Sequence, residues 1–306
     1  MSTQHNRCSD APRVTIGLPV YNGEDFLAAA LESLLEQSFT DFELIISDNG
    51  SDDSTQAICE KFAAEDRRVI YLREQINRGA AWNYNRLVER ARGEFFKWAA
   101  HDDLCSPGYL EQTVAALDEN RDAVLAFSHS IFIDAEGREV GLYYDRLDIN
   151  HHKPHRRMKR LVRTLHFCNS VFGLIRLSAL KKTHLIGTHL SSDKTLLTEL
   201  ALLGHFHQVE DFLFYRRQHE KMSVAANRKA SDLRAWFDPA ERDVRDYKVK
   251  GRLRREQYRV IWRSDLTLTD KLLCSTSTCV DRFYRKWFKR SFHADFQQLV
   301  SVDSNK

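Results

Sequence analysis

The sequence predicts an α/β protein, with a mostly parallel, Rossmann-like sheet flanked by helices and a helical C-terminal extension. Three observations predict it. Apolar, β-rich runs alternate with helical patterns of roughly ten to fifteen residues from Val14 to Phe127, the mark of successive β-α-β units. Hydrophobic residues make up 42% of the 306 residues and charged residues 29%, a soluble chain able to form a core. The charge is uneven. Residues 228–306 hold 19 Lys+Arg against 11 Asp+Glu, a net of +8, whereas the whole chain carries +3, so the part before it carries −5. Three segments are therefore expected: a disordered polar leader over 1–12, a main domain over 13–227, and a basic helical extension over 228–306.

The elements follow in order. Val14–Leu18 is a strand stopped by Pro19. Asn22 is expected to cap the next helix, in which Phe26, Leu27, Ala30, Leu31, Leu34 and Leu35 share one face. Phe42–Ser47 is a strand ending in Asp48-Asn-Gly-Ser-Asp-Asp53, and a helix over 54–64 and a strand over 69–72 follow. Asn77-Arg-Gly79 turns into a helix reaching Ala91. The strand Phe95–Ala99 comes next, then a helix opened by Ser106-Pro107, then the strand Ala123–Phe127. Ser130–Ile133 and Glu139–Tyr143 form a hairpin around Asp134-Ala-Glu-Gly137. A basic helix over 156–166, a strand over 171–175, a Leu-rich helix from Ser191-Ser-Asp193 to Gly204, and a strand over 212–216 complete the main domain.

Several functions are excluded by what is missing. The six cysteines form no Cys-x-x-Cys pair, so a zinc site is unsupported, and scattered thiols fit a reducing compartment. The first residues lack the apolar run of a signal peptide, and no stretch approaches the ~20 apolar residues that span a bilayer. A cytoplasmic protein is expected, lying at most on the inner face of a membrane. Neither Gly-x-Gly-x-x-Gly nor a Gly-x-x-x-x-Gly-Lys-Ser/Thr loop is present, which disfavours dinucleotide cofactors and phosphate-loop chemistry.

In open parallel sheets ligands bind beyond the carboxyl ends of the strands. That rule gathers Pro19-Val-Tyr-Asn22, Asp48-Asn-Gly-Ser and His101-Asp-Asp103 on one edge, with Asn77-Arg-Gly79 beside them. The run Phe95-Phe-Lys-Trp-Ala-Ala-His-Asp-Asp103 is the most telling. It delivers two adjacent carboxylates to a strand tip, where like charges repel unless a cation lies between them. Oxygen ligands of that kind suit Mg²⁺ or Mn²⁺. A solvated loop whose acids favour the next helix is the alternative.

These segments resemble glycosyltransferase family 2, the inverting nucleotide-sugar transferases of the GT-A fold. Val14-Thr-Ile-Gly-Leu-Pro-Val-Tyr-Asn22 is similar to the family's opening strand, Phe42–Ser54 to its second strand and ribose-binding turn, Asn77-Arg-Gly79 with Asn85 to its Asn-x-Gly…Asn segment, and Ala100-His-Asp-Asp103 to its metal motif. The resemblance covers roughly 14–219. It implies nucleotide contacts from Pro19, Tyr21, Asn22, Glu24, Asp48, Asn77, Gly79, Asp102, Arg217 and His219, metal ligation by Asp102 and Asp103, and a general base at Asp193. Asp48 reads otherwise as an Asx turn, Asp193 as a helix-start acid, and Arg216, Arg217 and His219 as a solvated strand end. Two positions depart from the family: Ala100 stands where many relatives carry an acid, and Tyr84 where they often carry a base. Trp82, Trp98 and Phe172 read as core.

The resemblance implies a Mn²⁺- or Mg²⁺-dependent inverting glycosyltransferase. Its donor would be a nucleoside-diphosphate sugar and its acceptor a saccharide or lipid-linked hydroxyl, in polysaccharide or glycolipid assembly. No nucleic-acid partner is implied. Two other readings are a non-catalytic nucleotide-sugar-binding scaffold and a nucleotidyltransferase, which the absence of a Gly-rich basic loop after the first strand disfavours. One helical pattern speaks apart from family: over 280–290, Val280, Phe283, Tyr284, Trp287 and Phe288 share one face and Arg282, Arg285, Lys286, Lys289 and Arg290 the other. Such a helix either lies in an anionic membrane surface or docks by its aromatic face on the main domain.

Overall fold

The structure is a computed structural model that describes residues 11–165, 167–220, 236–237 and 249–279. The expected leader falls almost wholly outside these residues, as do more than half of the extension and the whole helix expected over 280–290. Among the described residues nine strands form one sheet: β1 (Val14–Val20), β2 (Phe42–Asp48), β3 (Val69–Arg73), β4 (Phe95–Trp98), β5 (Leu104–Cys105), β6 (Ala123–Ile133), β7 (Glu139–Tyr143), β8 (Leu174–Arg176) and β9 (His205–Arg217). Their order is β3-β2-β1-β4-β8-β6-β9-β5, with β7 paired to β6.

The half built from β-α-β units, β3-β2-β1-β4, is parallel as expected. Beyond it β4–β8, β8–β6 and β9–β5 are antiparallel, and only β6–β9 is parallel. The change falls where the sequence stops alternating: β6 and β7 are joined by the hairpin read from Asp134-Ala-Glu-Gly137, which forces an antiparallel pair. The two-residue β5 is too short to leave a pattern of its own.

Helices cover both faces. They are α1 (Leu27–Leu35), α2 (Thr55–Glu65), α3 (Ala80–Arg90), α4 (Tyr109–Glu119), α5 (Pro154–Thr164), the single turn α6 (Leu177–Leu180), α7 (Ser192–Leu203) and α8 (Val249–Arg263), with a 3-10 turn at Asn169–Phe172. Every residue of β1 and β2 is buried, as in strands covered on both sides. Alternate side chains then enter different cores. Ile16, Leu18 and Phe95 pack with Leu27 and Leu31 of α1, while Phe96 and Trp98 pack with Leu87 of α3 and Leu196 and Leu200 of α7. Gly17 lets α3 approach, because a Cβ there would meet Phe96 Cζ at 2.8 Å and Leu87 Cβ at 3.0 Å. Trp98 donates its indole N–H to the Tyr84 carbonyl at 3.1 Å, tying α3 to β4 beneath the strand tips.

Two expected caps are not caps. α1 begins after Phe26, and Asn22 sits at φ 52° in the preceding loop. α4 begins at Tyr109, after Gly108, while the Ser106 carbonyl accepts the Tyr109 N–H in the turn before it. The described part of the extension rests on the main domain. Val260 and Ile261 of α8 are buried, and Gln257 Nε2 donates to Thr198 Oγ1 of α7 at 3.3 Å. Residues 268–279 are helical. No described helix is long and apolar enough to cross a membrane.

Candidate active site

The strand tips enclose a cleft of about 270 Å³. Its floor is a set of loops stitched by short polar side chains. Asn22 zips the β1 loop to the β2 loop: its Nδ2 donates to Asp52 Oδ1 at 2.7 Å, and its Oδ1 accepts the Asp52 N–H at 3.1 Å. Asn49 joins the third segment, donating to Asn77 Oδ1 at 2.8 Å and to the Gly79 carbonyl at 3.2 Å. Asn83, buried in α3, donates to the carbonyls of Val20 and Ser47, so the helix start is held against both strand ends. Gly79 takes φ 88°, which a side chain resists, and so turns Asn77 back toward the strands.

Pro19, Tyr21, Asn22, Asn77, Asp102, Arg217 and His219 all line the cleft, as does Asp103. Glu24, Asp48, Gly79 and Asp193 stand outside its lining. Glu24 accepts the Ser54 N–H at 3.0 Å at the start of α2. Asp48 is wholly buried and fully engaged: one oxygen accepts the Ser51 N–H and hydroxyl at 2.9 and 2.6 Å, the other the Tyr71 hydroxyl at 2.8 Å and Arg73 Nε at 3.2 Å. That is the closing turn rather than an open hand for a ribose, and the neighbouring Asn49 faces the cleft instead.

The two carboxylates behave differently. Burial and the Asp102 charge push the Asp103 carboxyl up to about 7, against the opposing pull of the Arg216 charge and the Arg217 N–H, which Asp103 Oδ1 accepts at 2.9 Å. Burial also raises Asp102. The hydrogen bond from His219 at 2.9 Å and the neighbouring His101 and His219 charges outweigh it and hold Asp102 below the usual carboxylate range. Among the described residues no group of three or more His, Cys, Asp and Glu side chains is placed to hold a metal alone. The two oxygen-donor carboxylates at the cleft, one of them raised by the other's charge, nevertheless fit a hard cation whose remaining ligands come from a bound anion and water.

Three cations near the site have separate tasks. Arg217 is buried, and its guanidinium donates to the carbonyls of Asp102, Asp134 and Ala135 at 2.8–3.1 Å over the Phe26 ring. It braces the acidic loop. Lys97 is buried beneath, with Nζ on the Phe172 carbonyl at 2.5 Å and 4.4 Å from the Tyr109 ring centroid, and burial lowers its pKa. Arg216 faces the cleft. Its Nη1 donates to Asn169 Oδ1 at 2.7 Å, Asn169 Nδ2 to Ser130 Oγ at 2.9 Å, and Ser130 Oγ to Asp145 Oδ2 at 2.9 Å. Burial raises the Asp145 carboxyl to about 7 against its hydrogen bonds with Ser130 and Asn169 and the Arg216 charge.

Asp193 lies in the first turn of α7, where its Oδ1 accepts the Lys194 N–H at 2.8 Å. It also takes a hydrogen bond from the Cys168 thiol, and its charge acts on Tyr84, a residue of the cleft wall. Asn85 grips both the N–H and the carbonyl of Ile186 at 2.9 Å, fixing the segment that leads to α7. Trp98 is core, Phe172 half-buried at the cleft, and Trp82 half-buried under the guanidinia of Arg78 and Arg86. Burial and the charges of Asp102 and Asp103 raise the Tyr84 phenol, so it enters the cleft as a neutral hydroxyl.

The sequence reading placed Asn49 and His101 at the strand tips without giving them a role, and it missed Asn83, Asn169 and Asp145. Asn83 had a signal, a polar side chain on the buried face of an amphipathic helix. The network of Arg216, Asn169, Ser130 and Asp145 had none, since its four members lie on four separate segments.

The model of "Glycosyl transferase family 2" matches residues 15–183, more than half of the chain. An uncharacterized glycosyltransferase of Rickettsia typhi is 30% identical over 145 residues, 47% of this chain and 43% of that protein. Another, of Methanocaldococcus jannaschii, is 32% identical over 130 residues, 42% of this chain and 45% of that one. The match thus spans less than half the length of these relatives. Among solved structures, S. aureus TarS 1-349 in complex with UDP-GlcNAc aligns with a TM-score of 0.66 at 18% identity, over 95% of this chain and 76% of that one. The mannosyltransferase PcManGT of Pyrobaculum calidifontis, in complex with GDP-Man and Mn²⁺, aligns at 0.53 and 16%, over 96% and 88%. These structures share the fold, a helix-flanked sheet of the GT-A type. On its sequence, the chain belongs to glycosyl transferase family 2.

Proposed function

We propose that this protein transfers a sugar, with inversion, from a nucleoside-diphosphate sugar to an acceptor hydroxyl, using Mn²⁺ or Mg²⁺. The observation that carries the proposal is the pair Asp102, half-buried, and Asp103, buried, lining a cleft that also presents Arg216. A site of alternating acid and base charge suits a diphosphate bridged to a cation. The solved relatives in complex with UDP-GlcNAc, or with GDP-Man and Mn²⁺, support the same donor class.

Asp102 and Asp103 would hold the cation, which when bound neutralises charge on the departing diphosphate. Arg216 brings a fixed positive charge to the same end of the cleft and needs no reorganisation as charge develops. Tyr21, Asn22, Asn49 and Asn77 offer hydrogen-bonding groups for the nucleoside. Asp193 takes the proton of the acceptor hydroxyl as that oxygen attacks the anomeric carbon from the face opposite the leaving group. Its support is that its charge reaches Tyr84, a residue of the cleft wall. The acceptor is a saccharide or a lipid-linked sugar of polysaccharide or glycolipid assembly, and the protein works at the cytoplasmic face of a membrane, which its basic extension would approach.

A second reading, a non-catalytic scaffold that binds nucleotide-sugar, is favoured by one observation: Asp193 stands outside the cleft lining and accepts the N–H of its own helix turn. Turnover separates the two. A panel of UDP- and GDP-sugars is incubated with the protein and Mn²⁺, Mg²⁺ or EDTA, and release of nucleoside diphosphate is measured. Catalysis predicts metal-dependent release from one donor, lost in Asp103→Asn. Binding without release in every case overturns the catalytic reading in favour of the scaffold.

A further inference from the structure

Arg216 and Arg217 are adjacent on β9, yet they are held in opposite ways. Arg217 lays its guanidinium on three backbone carbonyls. Arg216, on the next residue, turns to the cleft, and among the described residues it makes no salt bridge. Its side-chain partner is a neutral amide, Asn169 Oδ1. A carboxylate in that place would cancel the charge where a diphosphate has to meet it. The nearest carboxylate in the network, Asp145, is instead one side chain removed, bonded to Asn169 both directly and through Ser130.

The donors all run one way. Arg216 donates to Asn169, Asn169 to Ser130, and Ser130 to Asp145, over distances of 2.7, 2.9 and 2.9 Å. The members come from β9, the 3-10 turn, β6 and the segment after β7, so no local structural need places them together. Asn169, Ser130 and Asp145 are all buried. A chain of aligned hydrogen bonds in a low-dielectric surrounding polarises along its length, and here the polarity ends on an acid. The direction is fixed by chemistry: a guanidinium only donates, so the amide must present its oxygen to Arg216 and its NH₂ to Ser130. The hydroxyl then has its proton free for Asp145.

We propose that Asn169, Ser130 and Asp145 form a one-directional relay that fixes the Arg216 guanidinium in the cleft as a cation without a direct ion-pair partner among the described residues, which makes them positioning residues for an anionic diphosphate. The inference rests on the donor class proposed above and adds the residues that set its affinity. Arg216 is the group that touches the ligand. The other three act through it.

The test measures binding of UDP and GDP, each with Mn²⁺, and of the matching nucleoside monophosphate. Asn169→Asp is the decisive variant, because it keeps the size and gives Arg216 a direct ion pair. A purely structural bond would be kept or strengthened. The relay predicts instead a loss of nucleoside-diphosphate affinity of about tenfold or more, the scale of one charge-assisted contact, with a smaller loss for the monophosphate. Ser130→Ala removes one of the two links from Asn169 to Asp145 without adding charge and guards against a misfolded aspartate variant. It should weaken the diphosphate by a few-fold with an unchanged melting temperature. Arg216→Ala sets the ceiling of the effect. The relay is overturned if Asn169→Asp and Ser130→Ala bind the diphosphate like wild type, or if diphosphate and monophosphate weaken equally. Wild type binding neither UDP nor GDP would refute the donor class itself, and the inference with it.

Discussion

Replacing Asp145 with Asn should make the protein more stable at pH 8 and flatten its dependence on pH. Asp145 is buried, 4% exposed, and its carboxyl is pushed up to about 7, whereas in an unfolded chain it titrates near ~3.9. The folded state therefore holds the proton more tightly, and stability falls as pH rises from about 4 to about 7. Three pKa units at about 1.36 kcal/mol each set a ceiling of about 4 kcal/mol. Relaxation of a buried site reduces it, and ~1–3 kcal/mol is expected. Asn keeps an oxygen for the Ser130 hydroxyl and carries no charge, so that cost disappears. For a chain of this size the gain amounts to several degrees in Tm. Asp103, also raised to about 7, contributes a slope of the same sign, so the quantity to compare is the difference between wild type and variant. Urea melts from pH 5 to pH 9 in EDTA give it. A variant that is less stable than wild type at pH 8, or that keeps the full slope, would refute the claim that Asp145 is buried at a cost to the fold. Gained stability together with weakened diphosphate binding would show that this cost serves the cleft.

Other outcomes follow from the same geometry. Asp103→Asn should abolish metal-dependent donor turnover while circular dichroism shows an intact fold; undiminished release of nucleoside diphosphate would remove Asp103 from the metal site. Asp193→Asn should leave donor binding unchanged and lower transfer by roughly 10²–10⁴, the range for a lost general base; unchanged transfer would make Asp193 a helix-start acid. Gly79→Ala should destabilise by about 1–3 kcal/mol in chemical denaturation, because φ 88° with ψ 155° is a backbone region essentially confined to glycine, where a Cβ crowds the preceding carbonyl, and it should weaken nucleotide binding by disturbing Asn77. Trp98→Ala should cost ~3–5 kcal/mol, as a wholly buried aromatic that also anchors α3; a smaller loss would mean the site collapses to fill the space.

The sequence made the framework legible for a physical reason. Strands such as Val14–Val20 are apolar from end to end because both faces are covered, and the helices between them keep one apolar stripe each. The rule that ligands meet strand tips then placed Tyr21, Asn77 and Asp102 at one cleft. What stayed hidden depends on partners distant in the chain. Arg217 is committed to carbonyls 82 and 83 residues away, and no local pattern separates it from Arg216, which is free to face the cleft. The family resemblance made Asp48 a nucleotide contact, but Ser51, Tyr71 and Arg73 take up its oxygens. The antiparallel half of the sheet was partly visible in the β6–β7 hairpin, while the pairing of β8 between β4 and β6 was set by tertiary contacts alone.

The central claim is that the cleft at Asp102 and Asp103 binds a nucleoside-diphosphate sugar together with a divalent cation, and a thermal-shift titration tests it directly. The protein is melted with UDP- and GDP-sugars in Mn²⁺ or in EDTA, and Asp103→Asn is run beside it. A ligand that binds only the folded state raises Tm by mass action, whether or not it is turned over. The account predicts a concentration-dependent rise with at least one donor in Mn²⁺, absent in EDTA and in Asp103→Asn. No rise with any donor, or a rise that survives both EDTA and the variant, would contradict it.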